Sequence, residues 1–289
     1  MPSTVIAGVD VVSIPGLTIK EFHGGVSTKD STLSAVHETI TVEPGSGSSS
    51  TNNPWRCPEF TEYILMIRGE AHVEYGDGEK ATIIVAAGSG IYLPKGCRVR
   101  VNYPGAAEHI AICLPAFSPD TEHPEPPEGA TPTTLAHRIQ NYLDLSPTLF
   151  TSVDVVKAPT LTITEYFGNV ASQDPTFSAC ISKVDEPCSE AWQRPTFAEW
   201  VLVLSGVLHL EHEGENGTET TVVPAGSGVF LAADERVKWV WPEACTYVPI
   251  CVPAFTPDGC RREPEEGSAK DADPETMAEL HKLHEEAHS

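Results

Sequence analysis

Along most of the chain, apolar residues fall in short runs, either β-branched or alternating with polar residues at a period of two, and Gly, Pro and Asp separate the runs. The first half carries such runs at Thr39 to Val42, Tyr63 to Ile67, Ala71 to Tyr75, Thr82 to Val85, Ile91 to Leu93, Arg98 to Asn102 and His109 to Leu114. Successive side chains of a strand point to opposite faces, so this pattern predicts half-buried strands joined by tight turns, as in an antiparallel sandwich or barrel. Helical periodicity is confined to two places. Thr131-Pro132 can cap a helix through about Leu143, and Asp273-Pro274 can start another in PETMAELHKLHEEA, with proline in its first turn. The first is expected to bridge two domains, the second to pack on the outside or on a second subunit.

The pattern occurs twice. Trp55 to Gly69, WRCPEFTEYILMIRG, is echoed at Trp192 to Gly206, WQRPTFAEWVLVLSG, with the tryptophan, proline, glutamate and closing glycine in register. VDVV recurs at Val9 and Val153, and CLPAFSPD at Cys113 is matched by CVPAFTPD at Cys251. Self-similarity at this long period means duplicated domains. The first copy holds extra residues before its glutamate, most simply in the Gly/Ser-rich stretch Pro44 to Asn53, which reads as a surface loop. The expected boundaries are residues 1–128 for the first domain, 129–150 for a helical linker, 151–266 for the second domain and 267–289 for a helical tail.

A length of 289 residues suffices for two domains with a core each, and 40% apolar with 20% charged residues is ordinary for a globular chain. The net charge of −23 opposes binding to nucleic acid or to anionic membrane surfaces, since both rely on basic residues. The opening residues lack a basic leader and Asp10 interrupts their apolar content, so a cytoplasmic location is expected. Eight cysteines without a CxxC pair read as reduced, mostly packed thiols.

The repeated glutamate-to-glycine segments, Glu62 to Gly69 and Glu199 to Gly206, together with Gly88 to Gly96 and its looser echo at Gly226 to Asp234, resemble the two motifs of the cupin superfamily. The resemblance spans nearly the whole chain in duplicate and implies an all-β bicupin, two tandem jelly-roll barrels with a short helix after each. Cupins commonly hold a metal through three histidines and that glutamate. Carried over, the histidine positions are Trp55, Cys57 and Val99 in the first barrel and Trp192, Arg194 and Val237 in the second. None is histidine, so the resemblance implies no ordinary metal site and no cofactor.

Alternation places Glu62 and Glu199 inside the barrels, where an apolar setting raises a carboxyl's pKa and suits it to acid/base chemistry; the alternative is a purely structural buried carboxylate. Arg194 is expected either to clamp a substrate carboxylate or to neutralise Glu199. Cys57 with Glu62 and His109 can make an unconventional metal site or an activated thiol, or Cys57 simply packs. Trp55, Tyr103, Trp192, Trp239 and Trp241 offer an aromatic wall for a ligand or core filling. His72 and His209 are expected to face outward. Three functions follow: a metal-independent bicupin that binds a small organic molecule inside the barrel, with or without transforming it, a cofactor-free lyase or isomerase using a buried glutamate, or an atypical metal-dependent enzyme. The expected partner is a small-molecule ligand, with monomer and homodimer both open.

Overall fold

A computed structural model describes residues 4–41, 53–76, 81–126, 145–214, 217–263 and 274–287. The chain divides into two compact units, Gly8–Thr151 and Met1–Ala7 with Ser152–Ser289. Most described residues lie in antiparallel strands, as the period-two pattern predicts.

Strand β1 (Val5–Ala7) precedes the first repeat. That repeat supplies β2 (Val9–Ile14), β3 (Leu17–His23), β4 (Ser34–Ile40), β5 (Thr61–Arg68), β6 (Glu70–Tyr75), β7 (Ala81–Ala86), β8 (Ser89–Leu93), β9 (Val99–Asn102) and β10 (Ala107–Leu114). A short helix α1 (Pro119–Glu122) follows. After β11 (Thr148–Thr151), the second repeat supplies β12 (Val153–Lys157), β13 (Leu161–Phe167), β14 (Ser178–Val184), β15 (Cys188–Ser189), β16 (Ala198–Ser205), β17 (Val207–Gly214), β18 (Gly217–Pro224), β19 (Ser227–Leu231), β20 (Val237–Trp241) and β21 (Cys245–Val252). Helix α2 (Pro274–Ala287) comes last.

In the first unit a seven-stranded sheet, β11-β8-β5-β10-β4-β3-β2, faces the three-stranded sheet β7-β6-β9. In the second, β1-β19-β16-β21-β14-β13-β12 faces β15-β20-β17-β18. Alternate residues fill each interior: Ile64, Met66, Val73, Ile91 and Val101 in the first, Val201, Val203, Leu210, Val229 and Trp239 in the second. His72 and His209, between the buried neighbours Ala71 and Val73 or Leu208 and Leu210, are only part-buried and stand on the outer face as expected.

Each unit takes one strand from outside its own repeat. Val5 pairs with Val229, so β1 completes the second unit, and Leu149 pairs with Ile91, so β11 completes the first. The expected boundaries at residues 1–128 and 151–266 miss both strands, and β11 falls where a helical linker was expected. Runs of three or four residues are too short to carry a readable period. The helix expected over Thr131–Leu143 lies outside the described residues, as does nearly all of the loop expected at Pro44 to Asn53.

The glycine that closes each motif has a steric reason to be glycine. Gly69 and Gly206 adopt φ of 76° and 73°. A Cβ there would stand 2.2 Å from the Ala106 carbonyl oxygen or 2.1 Å from that of Ala244, both backbone atoms that cannot swing aside. Gly206→Ala is therefore expected to lose more than about 2 kcal/mol in chemical denaturation, while Gly105→Ala, with nothing within 4 Å of its new methyl, is expected to stay within about 0.5 kcal/mol.

Candidate functional site

Each barrel is fastened on the outside by the same three residues. Arg98 lies over the Trp55 ring at 4.0 Å and meets Glu125 through two hydrogen bonds of 2.5 and 2.8 Å. Arg236 lies over Trp192 at 4.0 Å and meets Glu263 at 2.7 and 2.5 Å. A forked guanidinium sandwiched between an indole and a carboxylate ties the segment after the last strand to the segment before the motif strand. Trp55 and Trp192, expected as ligand walls, serve this clasp instead.

The residue after each tryptophan faces inward. Arg56 exchanges backbone hydrogen bonds of 2.9 Å with Val99, and Gln193 does the same with Val237 at 2.9 and 3.0 Å. These bridges turn Arg56 and Gln193 toward the barrels and leave Cys57 and Arg194 elsewhere. The Cys57 thiol donates to the Gly96 carbonyl at 3.3 Å, and burial followed by the charge of Glu125 pushes its pKa up, which opposes activation. Arg194 is exposed, with its guanidinium 3.4 Å from the Asp234 carbonyl. The expected pairing of Arg194 with Glu199 is thus displaced by one residue and into the other barrel. The segment at fault is not a strand, so alternation gave no facing for it.

In the first barrel, Glu62 sits on β5 opposite Leu93 and Cys113, 8% exposed, and Arg56 Nη2 reaches its Oε2 at 2.5 Å. Glu122 from α1 stands 3.9 Å from the same guanidinium. Deeper in, Tyr103 Oη lies 3.2 Å from His109 Nε2, which is 3.5 Å from Glu38. Burial, then the charge of Glu62, pushes Glu38 up to about 7. Burial, then His37, drives His109 down to about 3, so His109 is neutral near pH 7. Tyr103 and His109 are brought together as stacked rings 5.3 Å apart, but the pattern left Glu38 and Arg56 unidentified.

In the second barrel, Glu199 occupies the equivalent place on β16, opposite Leu231 and Cys251, and is also 8% exposed. No cation stands on it among the described residues; its carboxyl accepts from the Cys251 thiol at 3.8 Å. Burial, then the charge of Glu190, pushes Glu199 up to about 8. A cavity of about 90 Å³ opens in front of it, room for roughly half a dozen water-sized positions at about 10–15 Å³ each. Its polar lining includes Glu190, Gln193, Ser182, Tyr247 and Arg262. Gln193 Nε2 donates to Glu190 at 3.2 Å, and Arg262 pairs with Glu190 at 3.5 Å. The lining also has an apolar part, where Met277 and Leu280 of α2 join Val155, Val156, Leu161 and Ile163.

Helix α2 packs on its own barrel at β12 through this apolar wall. Trp239 lines the cavity, whereas Trp241 is stacked on Tyr247 at 5.5 Å in the core behind it. Glu165, another lining residue, accepts from the backbone N–H groups of Val170 and Ala171 at 2.8 and 2.7 Å and holds a turn. Its counterpart Glu21 does the same for Val26 and Ser27 at 2.8 and 2.6 Å.

No family model matches the chain. A curated relative, "Endoribonuclease YbeY" of Myxococcus xanthus (strain DK1622), is 33% identical over 115 residues, 39% of this chain and 36% of that protein. The matched stretch therefore spans little more than a third of that relative. Among solved structures, Bacillus subtilis oxalate decarboxylase, an enzyme with Mn(II) centres, superposes with a TM-score of 0.64 at 14% identity, over 87% of this chain and 78% of its own. Its structure at pH 4.6 gives a TM-score of 0.63 at 13% identity, over 90% and 77%. At such identity the likeness establishes the fold, the two-barrel cupin fold, and nothing of chemistry.

Glu62 does not fit a Mn(II) centre, because the Arg56 guanidinium already stands on its carboxylate. Among the described residues no three His, Cys, Asp or Glu side chains stand in a metal-holding group, and the proposed set of Cys57, Glu62 and His109 is not assembled.

The raised pKa of Glu199 fixes a pH dependence. The group titrates near 8 when folded against an ordinary 4.5, so the folded state binds more protons between these values. Its stabilising contribution is full below pH 4.5 and is lost as pH rises to about 8. Glu199→Gln is expected to gain on the wild type progressively from pH 5 to 8, by on the order of 4 kcal/mol at most, and to hold level above. Denaturation curves across that range measure it.

Proposed function

We propose that this protein binds a small organic molecule inside its second barrel, without a metal ion, and that Glu199 is the polar anchor of that site. What supports the reading is one observation: a buried glutamate that has no ion pair among the described residues faces a cavity lined by both polar and apolar side chains. Such concave, largely apolar pockets with few convergent polar groups are the usual form of a small-molecule site. The first barrel's glutamate is already occupied by Arg56, which favours the second barrel as the site in use.

A second reading rests on the pKa of Glu199. A carboxyl that titrates near 8 holds a proton at neutral pH and releases it at modest cost, as a general acid or base must. Cofactor-free lyase or isomerase chemistry on the bound molecule is compatible with that. The endoribonuclease name of the curated relative finds no support in a net charge of −23. A cytoplasmic location remains part of the proposal; among the described residues no helix is long and apolar enough to cross a membrane.

Ligand-observed NMR with a fragment set of mixed charge tests the reading on the full chain. Fragments that bind the wild type are expected to lose binding in Ser182→Leu, whose side chain enters the cavity, and to keep it in His72→Ala on the outer face. Absence of any binder, or binding indifferent to Ser182→Leu in a variant that melts like the wild type, would contradict it.

A further inference from the structure

The two barrels solve the same electrostatic problem differently, and the difference describes a ligand. At equivalent places on β5 and β16 stand Glu62 and Glu199, each 8% exposed. At equivalent bridge positions opposite Val99 and Val237 stand Arg56 and Gln193. In the first barrel the guanidinium of Arg56 lies on Glu62 at 2.5 Å. In the second the amide of Gln193 is turned to Glu190, and Glu199 faces open cavity.

Resting on the reading that this cavity is a binding site, we infer that the second barrel takes a compact organic cation, an alkylguanidinium or alkylammonium, whose charged head sits on Glu199 where the first barrel seats Arg56. The first barrel is the template for the complex. Arg56 carries its charge on a three-carbon stem, so the ligand that reproduces it has a short apolar body. The lining has side chains suited to each part: Met277, Leu280, Val155 and Val156 to the body, and Trp239, Tyr247 and Glu199 to the head.

Charge balance in the cavity favours the same class. Among the charged side chains lining it, Glu165, Glu190 and Glu199 oppose Arg262 alone, and Arg262 already pairs with Glu190 at 3.5 Å. An anionic ligand would meet an excess of carboxylates with no free countercharge, whereas a cation supplies what Glu199 lacks. Aromatic faces in a desolvated site add to cation binding. Burial and then the charge of Glu190 raise the pKa of Glu199, the Cys251 thiol and the charge of Arg262 offset this only in part, and pairing with a cation lowers it further. The groups facing Glu199 that titrate or carry charge, namely Glu190, Glu165, Arg262, Tyr247 and the thiols of Cys180, Cys251 and Cys260, include no other cation.

The test uses the full chain and a set of probes that share a propyl group: propylguanidinium and propylammonium as cations, butyramide as the neutral, butyrate as the anion. Calorimetric titration at pH 8.5 is expected to show saturable binding of one or both cations at one site, with the neutral and the anion at least 10-fold weaker. Glu199→Gln is expected to weaken the cation at least 10-fold. Gln193→Arg, which rebuilds the first barrel's pair, is expected to abolish cation binding and raise the melting temperature. Butyrate or butyramide binding as tightly as the cations, or cation binding retained in a folded Gln193→Arg protein, would overturn the inference. Should Gln193→Arg not fold, the charge-matched set in the wild type decides alone. Fragments of other charge that bind and are lost in Ser182→Leu would leave the site standing and remove only its cation preference.

Discussion

A carboxylate taken out of water needs a cation, a proton or a set of hydrogen-bond donors, because its uncompensated burial costs several kcal/mol. Both barrels are built around a glutamate in this position, and the rest of each interior answers to it. In the first, Arg56 is drawn in to meet Glu62, and Glu122 closes over the guanidinium from α1. In the second, no cation is paired with Glu199 among the described residues, and burial holds its pKa up to about 8. A second pair of buried glutamates, Glu21 and Glu165, takes the remaining option and accepts backbone N–H groups. One sheet scaffold thus displays all three solutions. Glu199 combines a cavity beside it with hydrogen-bonding capacity left over, and this suits it to a ligand.

Duplication makes these comparisons possible. The clasp of Trp55, Arg98 and Glu125 has its twin in Trp192, Arg236 and Glu263, so both copies keep the fastening that positions the bridge residue. What the copies do not share is the bridge residue itself and the aromatic content behind it: Tyr103 and His109 with Glu38 in the first, Trp241 and Tyr247 with Ser182 in the second. A fixed frame with divergent filling is how one fold comes to hold a glutamate paired with arginine in one barrel and a glutamate facing a cavity in the other.

The strands, the repeat and the inward facing of both glutamates were legible in the sequence because alternation along an eight-residue strand determines which side chains share a face. Glu62 falls with Ile64 and Met66, and Glu199 with Val201 and Val203, and all six are buried. The bridge segment was not legible. Trp55, Arg56 and Cys57 precede the strand in irregular backbone held by an isolated bridge, and no period exists there to separate Arg56 from its neighbours. For the same reason Arg194 was placed inside in error. Glu38 stands on β4 next to His37 and pairs across the sheet with His109, a contact between residues far apart in the chain. The apolar wall that α2 contributes was invisible too, since docking of a helix on one edge strand leaves no local signature.

Carboxyl-carbon NMR of glutamate-labelled protein, followed from pH 4 to 10, tests the central claim most directly. Two carboxyls are predicted to titrate far above the ordinary 4.5, Glu38 near 7 and Glu199 near 8, with Glu199→Gln removing the upper transition and sparing the lower. A Glu199 that titrates near 4.5 would mean that the second barrel already supplies its countercharge, and the account of that cavity would fail.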